Sequence, residues 1–274
     1  MKNLIVVSFS FVGLVFSSAF AADMDMPLQA PPPPTLNWTG CYANAGVGYG
    51  LWNQDHNMTG PFGPGGTPAT TVTTTDGGRG WLGRFGGGCD YQFSVSGLGN
   101  FVIGAFGDYD LMSLAGSNSP SEVFAFAGGG LSPTAANVKE TGAGYAGLRL
   151  GYLISPTFLA YSDGGWTATS FTQSSEFQTA TGAPIGLGYP NYNTYGWFLG
   201  GGYEYALNFS WMPIQGLFWR TEYRLSQYNT RNLGEFNLAT GALTGNVEHM
   251  TPYVQTITSS LVWRFNLWNP LLAR

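Results

Sequence analysis

The chain has 274 residues, of which 44% are hydrophobic, 16% aromatic and only 9% charged, and its net charge is −5 at pH 7. Soluble domains use roughly a quarter charged residues, so this chain lacks the polar coat of a water-soluble globule. Its acidic balance excludes nucleic acid as a partner, and no stretch beyond the amino terminus approaches the roughly 18 apolar residues of a membrane-spanning helix.

Residues 1–21 read as a secretory signal peptide: Lys2 is the basic region, Leu4 to Phe16 the apolar core, and Ala19 and Ala21 are spaced for cleavage after Ala21. Cleavage removes Lys2 and leaves nine basic against 15 acidic residues, near −6. Residues 22–36 form a linker whose run Pro31 to Pro34 favours extended polyproline II and cannot enter a sheet interior.

Residues 37–266 alternate in the two-residue period of β-strands. The period predicts eight strands, near 38–52, 79–93, 101–111, 141–152, 157–169, 194–206, 217–226 and 251–265. In the seventh, "LFWRTEYRLS", Trp219, Thr221, Tyr223 and Leu225 share one face, and Arg220, Glu222, Arg224 and Ser226 the other. The expected connections alternate in length: 53–78, 112–140, 170–193 and 229–250 are long, and 94–100, 153–156 and 207–216 are short. Sorted loops, abundant glycine and aromatics, and no long apolar run predict an all-β fold: a closed, up-and-down, eight-stranded antiparallel transmembrane β-barrel of the outer membrane of a Gram-negative bacterium. The long loops are then extracellular and both mature termini periplasmic. Residues 267–274 form a short periplasmic tail.

In such a barrel the aromatic face meets outer-membrane lipid and the charged face fills the lumen. The inward set is Arg84, Asp90, Asp108, Arg149, Asp163, Glu204, Arg220, Glu222 and Arg224, interleaved with glycines. Four arginines against five acids is near balance, which predicts a salt-bridged plug rather than an ion-selective field. An eight-stranded lumen is narrow enough for side chains to fill. The last strand carries Leu261, Trp263 and Phe265 on its lipid face. Such a terminal strand resembles the signal read by the outer-membrane insertion machinery.

Cys41 and Cys89 are the only cysteines, near the periplasmic ends of the first two strands. Two readings stay open for them: a cross-strand disulfide in an oxidising compartment, if the register opposes them, or two small apolar side chains facing lipid.

Other constellations carry little chemistry. "GAGYAG" (142–147) matches a dinucleotide fingerprint, but strand alternation continues through it where a helix is required. His56 and His249, with Met58 and Met250 nearby, fall in the first and last long loops and read as exposed polar residues. His249 with Asp55 or Asp76 is the one hydrolase set the rim offers, and spacing gives no sign that it converges. The expectation is therefore no enzyme, no cofactor and no metal. The loops, rich in Gly, Thr, Ser and Asn, name no external ligand.

"WTGCYANAGVGYG" (38–50), "GGGCDYQF" (86–93), "RLGY" (149–152), "GWFLGGGYEYAL" (196–207), "RTEYRL" (220–225) and "LVWRFN" (261–266), in that order, resemble the OmpA-like outer-membrane barrel proteins of α-proteobacteria. That group includes the porin-family and immunogenic surface proteins of Brucella and the rhizobia. The chain departs from it at Phe106, Cys41 and the terminal Arg274. The resemblance implies a surface-exposed structural role in the cell envelope. It leaves two alternatives, a small-solute channel and a receptor or adhesin whose long loops bind haem or a host protein.

Overall fold

A computed structural model describes residues 36–62, 67–70, 73–118, 123–125, 131–173, 175–207 and 216–265. The expected signal peptide, the linker as far as residue 35 and the tail lie outside the described residues. In chain order the strands are β1 (Gly40–Phe62), β2 (Thr67–Thr70), β3 (Thr74–Val95), β4 (Gly99–Asn118), β5 (Val123–Ala125), β6 (Leu131–Ser155) and β7 (Phe158–Gln173). They continue with β8 (Ser175–Gln178), β9 (Pro184–Gly188), β10 (Tyr192–Ala206), β11 (Leu217–Tyr228), β12 (Arg231–Asn237) and β13 (Leu243–Phe265).

Eight of these strands close into a ring. The hydrogen-bonded order β1-β3-β4-β6-β7-β10-β11-β13 returns from β13 to β1, and its pairings are antiparallel. Closure satisfies every backbone ladder without leaving an edge, which is what allows a sheet to cross a membrane. The side-chain alternation sets the walls. Trp81, Phe85, Leu148, Leu150, Trp197, Leu199 and Ile257 stand out from the outer wall, half or more exposed. Arg84, Arg149, Glu204, Glu222 and Arg224 are buried inside. Six of the eight expected strands lie within strands of this ring, and the first and fifth begin two residues and one residue before β1 and β7.

The long connections differ from expectation. Much of 53–78, 112–140, 170–193 and 229–250 is strand rather than loop. β1 runs on to Phe62, β6 begins at Leu131, and β13 begins at Leu243. Above β7, β10 and β11, the strands β8, β9 and β12 carry the wall upward. β12 pairs with β13 and with β9, β9 with β8, and β8 with β6. The upper tier is therefore a second ring, β1-β3-β4-β6-β8-β9-β12-β13. Composition hides it because above the bilayer the outer face of a strand meets water. Asn53, Asp55, Asn57 and Thr59 then occupy positions that Val47, Tyr49 and Leu51 occupy lower down, and the segment reads as a polar loop. A tilted strand crosses the hydrocarbon in about 9–11 residues, so the 23-residue β1 and β13 stand well above it.

Candidate functional site

The chemistry of the chain is concentrated in the lumen. Ring strands place an inward side chain every second residue, and all nine expected lumen charges are buried there. Asp110, also buried, and Arg264, its side chain 8% exposed, join them. Five arginines thus face six carboxylates. Two glycines make room for this. Gly86 opposes Asp108 and Gly104 opposes Asp90, and a Cβ at either glycine would collide with the facing carboxylate.

The charges form two layers. In the layer at the short-turn end, Arg149 bonds Asp90 through two nitrogens and reaches Glu204 at 3.4 Å. Arg220 donates to Glu204 at 3.0 and 3.1 Å. Arg264 bridges Glu204 and Asp90 at 2.7 Å each. Aromatic rings complete the layer: Arg149 and Arg220 each lie 4.6 Å from the Tyr42 ring, and Arg264 lies 4.6 Å from the Trp38 ring.

In the central layer, Arg84 holds Asp110 with both prongs at 2.7 Å and also bonds Glu222. Arg224 contacts Glu222 at 2.6 Å, Asp108 at 2.6 Å and Asp163 at 3.2 Å. Asn44 donates to Asp108 at 3.0 Å. Tyr161 joins the layers: it donates to Glu222 at 2.7 Å, and its ring faces Arg149 and Arg220. Phe106 turns inward against Phe198 and the Arg224 guanidinium.

The upper tier has a different character. His56 is not an exposed loop residue as expected. It lies on β1 with its side chain fully buried, Nε2 2.9 Å from Asp76 and Nδ1 2.8 Å from Glu248. Thr74 Oγ1 is also 2.9 Å from Nε2. Burial works against charge on this imidazole, but Glu248 and then Asp76 outweigh it and raise its pKa above 6.5. Glu140, bonded to Thr169 at 2.7 Å, lies just below this tier, where β6 still pairs with β7 at Phe171. Trp52, Phe171, Met58, Met250 and Tyr192 fill the space between.

His249 takes the opposite parity to His56, its ring bonded to Thr59 and Asn232. The two histidines therefore do not converge, and neither does His249 with Asp55 or Asp76: Asp55 bonds Thr75, and Asp76 faces His56. Thr74, His56 and Glu248 follow a hydroxyl–imidazole–carboxylate order, but Asp76 shares the nitrogen that faces the hydroxyl and the imidazole is sealed from solvent. Among the described residues no three of His, Cys, Asp and Glu are grouped to hold a metal ion. "GAGYAG" lies within β6, without the helix a dinucleotide site needs.

Cys41 and Cys89 are directly opposed on β1 and β3 and joined by a disulfide. Leu261 and Trp263 stand on the outer wall of β13, with Phe265 against the Trp263 ring at 5.2 Å. Strand alternation places Asp110 and Arg264 on the same face as Asp108 and Ser260, and it extends to the group around His56, which shares parity with inward neighbours on its own strands.

No protein-family model matches the chain, and no curated protein matches it. Solved structures of outer-membrane proteins do. The outer membrane protein OprG from Pseudomonas aeruginosa is 13% identical, with 84% of this chain and 98% of that chain covered and a TM-score of 0.45. The outer membrane protease OmpT from Escherichia coli is 10% identical, with 82% and 97% covered and a TM-score of 0.41. The attachment invasion locus protein Ail of Yersinia pestis is 8% identical, with 82% and 99% covered and a TM-score of 0.31.

Proposed function

We propose that this protein is a structural, surface-exposed barrel of the Gram-negative outer membrane whose lumen is plugged. Single-chain antiparallel barrels with an apolar wall and a polar interior belong to that membrane. One observation carries the reading. Five arginines and six carboxylates join wall to wall in two layers, every side chain of the set at most 8% exposed. A water-filled conduit would leave such groups wet. The kinship with the α-proteobacterial OmpA-like group belongs to this proposal, as do the absence of catalysis, lipid as the surrounding partner and assembly by the insertion machinery.

Liposomes carrying the refolded protein test the plug. They should retain a trapped small sugar as well as empty liposomes do, and rapid loss of the sugar would favour the channel reading. Display is tested by proteinase K on intact cells. Cleavage is expected at the hairpin tips 179–183 and 238–242. Cleavage confined to the opposite-end turns at 96–98 and 156–157 would invert the topology.

A further inference from the structure

Of the eight basic residues in the described chain, five are spent inside the lumen. Arg79 on β3 and Lys139 on β6 are both exposed. They lie on one tier: the ladder runs Leu51–Arg79–Ala115–Lys139–Thr172 across five strands, each pair in direct register. Adjacent strands are about 4.8 Å apart, so the Cα atoms of Arg79 and Lys139 stand roughly 10 Å apart with only the methyl of Ala115 between the two side chains.

Two shallow grooves flank that methyl. One, of about 360 Å3, runs past Lys139 along Gly116, Asn137 and Thr172. The other, of about 340 Å3, runs past Arg79 along Asn53, Gly77 and Gly78. Small residues leave the wall open, and Asn53, Asn137 and Thr172 add polar groups. Among the described residues neither cation has an ion-pair partner. The nearest outward acid on β1, Asp55, sits four residues further up and bonds Thr75.

Depth identifies the occupant. Trp81, two residues below Arg79 on the same face, is 71% exposed and packs edge-on against Tyr49 at 5.2 Å. Amphipathic rings of this kind mark the boundary of the hydrocarbon. Arg79 and Lys139 therefore begin where the apolar band ends, at headgroup level on the long-connection side, and the grooves open sideways into the membrane rather than upward at the loop tips.

We propose that Arg79 and Lys139 form a clamp for the phosphate groups of a phosphorylated glycolipid in the outer leaflet. The guanidinium can hold a phosphate through two donors, and the ammonium acts as a point charge. The span suits two phosphates on one headgroup. The assignment rests on the reading that the long-connection end faces outward.

The test uses full-length refolded protein in detergent micelles, with diphosphoryl lipid A as the probe. Tryptophan fluorescence, to which Trp81 contributes, follows the titration. Surface cations contribute roughly 1 kcal/mol each toward anionic lipid, so the double variant Arg79→Gln, Lys139→Gln should bind about 30-fold more weakly. Arg231→Gln, three strands away round the wall, should bind as wild type does. Heat-modifiable gel migration shows that each variant is folded. Equal affinity of the double variant and wild type would overturn the clamp, as would equal binding of fully dephosphorylated lipid. Displacement of the lipid by millimolar inorganic phosphate would also overturn it, since the site would then serve free anions. A conducting lumen would overturn the plug and leave this result untouched.

Discussion

Arg84 and Asp110 oppose each other on β3 and β4, with Nε and Nη2 each 2.7 Å from one carboxylate oxygen. Both side chains are buried, at 3% and 0% exposure. Paired donors on paired acceptors make the strong form of an ion pair. Arg84 also bonds Glu222 on β11, so this pair ties neighbouring strands together and spans the lumen. Removing one member of a buried pair costs about 3–5 kcal/mol, because the other charge is left uncompensated. Arg84→Met should therefore lower the urea midpoint of refolded protein clearly, and Arg84→Met with Asp110→Leu should recover much of the loss. Glu222→Ala, which strips an acceptor from Arg84, Arg224 and Tyr161, should lower the midpoint as well. Unchanged midpoints would mean that water reaches the layer.

The disulfide between Cys41 and Cys89 closes a loop with a sequence separation of 48. Loop-closure entropy puts a loop of this length at about 4 kcal/mol, relative to a reduced unfolded chain. Thiol titration of denatured, unreduced, monomeric protein should find no free thiol. Reduction should lower the urea midpoint. Two free thiols per chain would remove the bond from the account.

Trp263 and Phe265 present adjoining rings near the end of β13, with Leu261 on the same face. Phe265→Asp places a charge on the outer wall and should cut insertion into the outer membrane strongly, measured as heat-modifiable barrel in the membrane fraction. Truncation after Asn266 should cut it less. If Phe265→Asp inserts as wild type does, the terminal strand is not the assembly signal.

The upper tier should loosen as pH rises. His56, raised by Glu248 and Asp76 against the effect of burial, contributes stability that is present below 6.5 and lost as pH climbs through its folded pKa. Urea midpoints should decline as pH climbs past 6.5, and His56→Gln should flatten much of that decline. A midpoint that rises over the window would contradict the pairing of His56 with Glu248 and Asp76.

The eight crossings were legible because lipid outside and charge inside oblige each strand to alternate, as in Trp219, Arg220, Tyr223 and Arg224. The disulfide was legible only as one of two readings. A one-sided aromatic pattern does not set register, and it is the pairing of Ala43 with Gly87 and Tyr49 with Trp81 that brings Cys41 opposite Cys89. The upper tier was not legible. Where water bathes the outer wall, the contrast between the faces falls, and Gln54, His56 and Asn57 look alike in composition although the first two are buried. The partners of Arg84 were partly legible: parity put Glu222 inside, but distance across the lumen depends on how the ring closes.

Single-channel recording across a planar lipid bilayer tests the plugged barrel most directly. Refolded, disulfide-bonded protein that migrates as a folded barrel should insert without stepwise current, because the Arg84–Glu222–Arg224 layer and the Arg149–Glu204–Arg264 layer close the lumen in series. Uniform, long-lived open steps from the wild-type protein would contradict that closure.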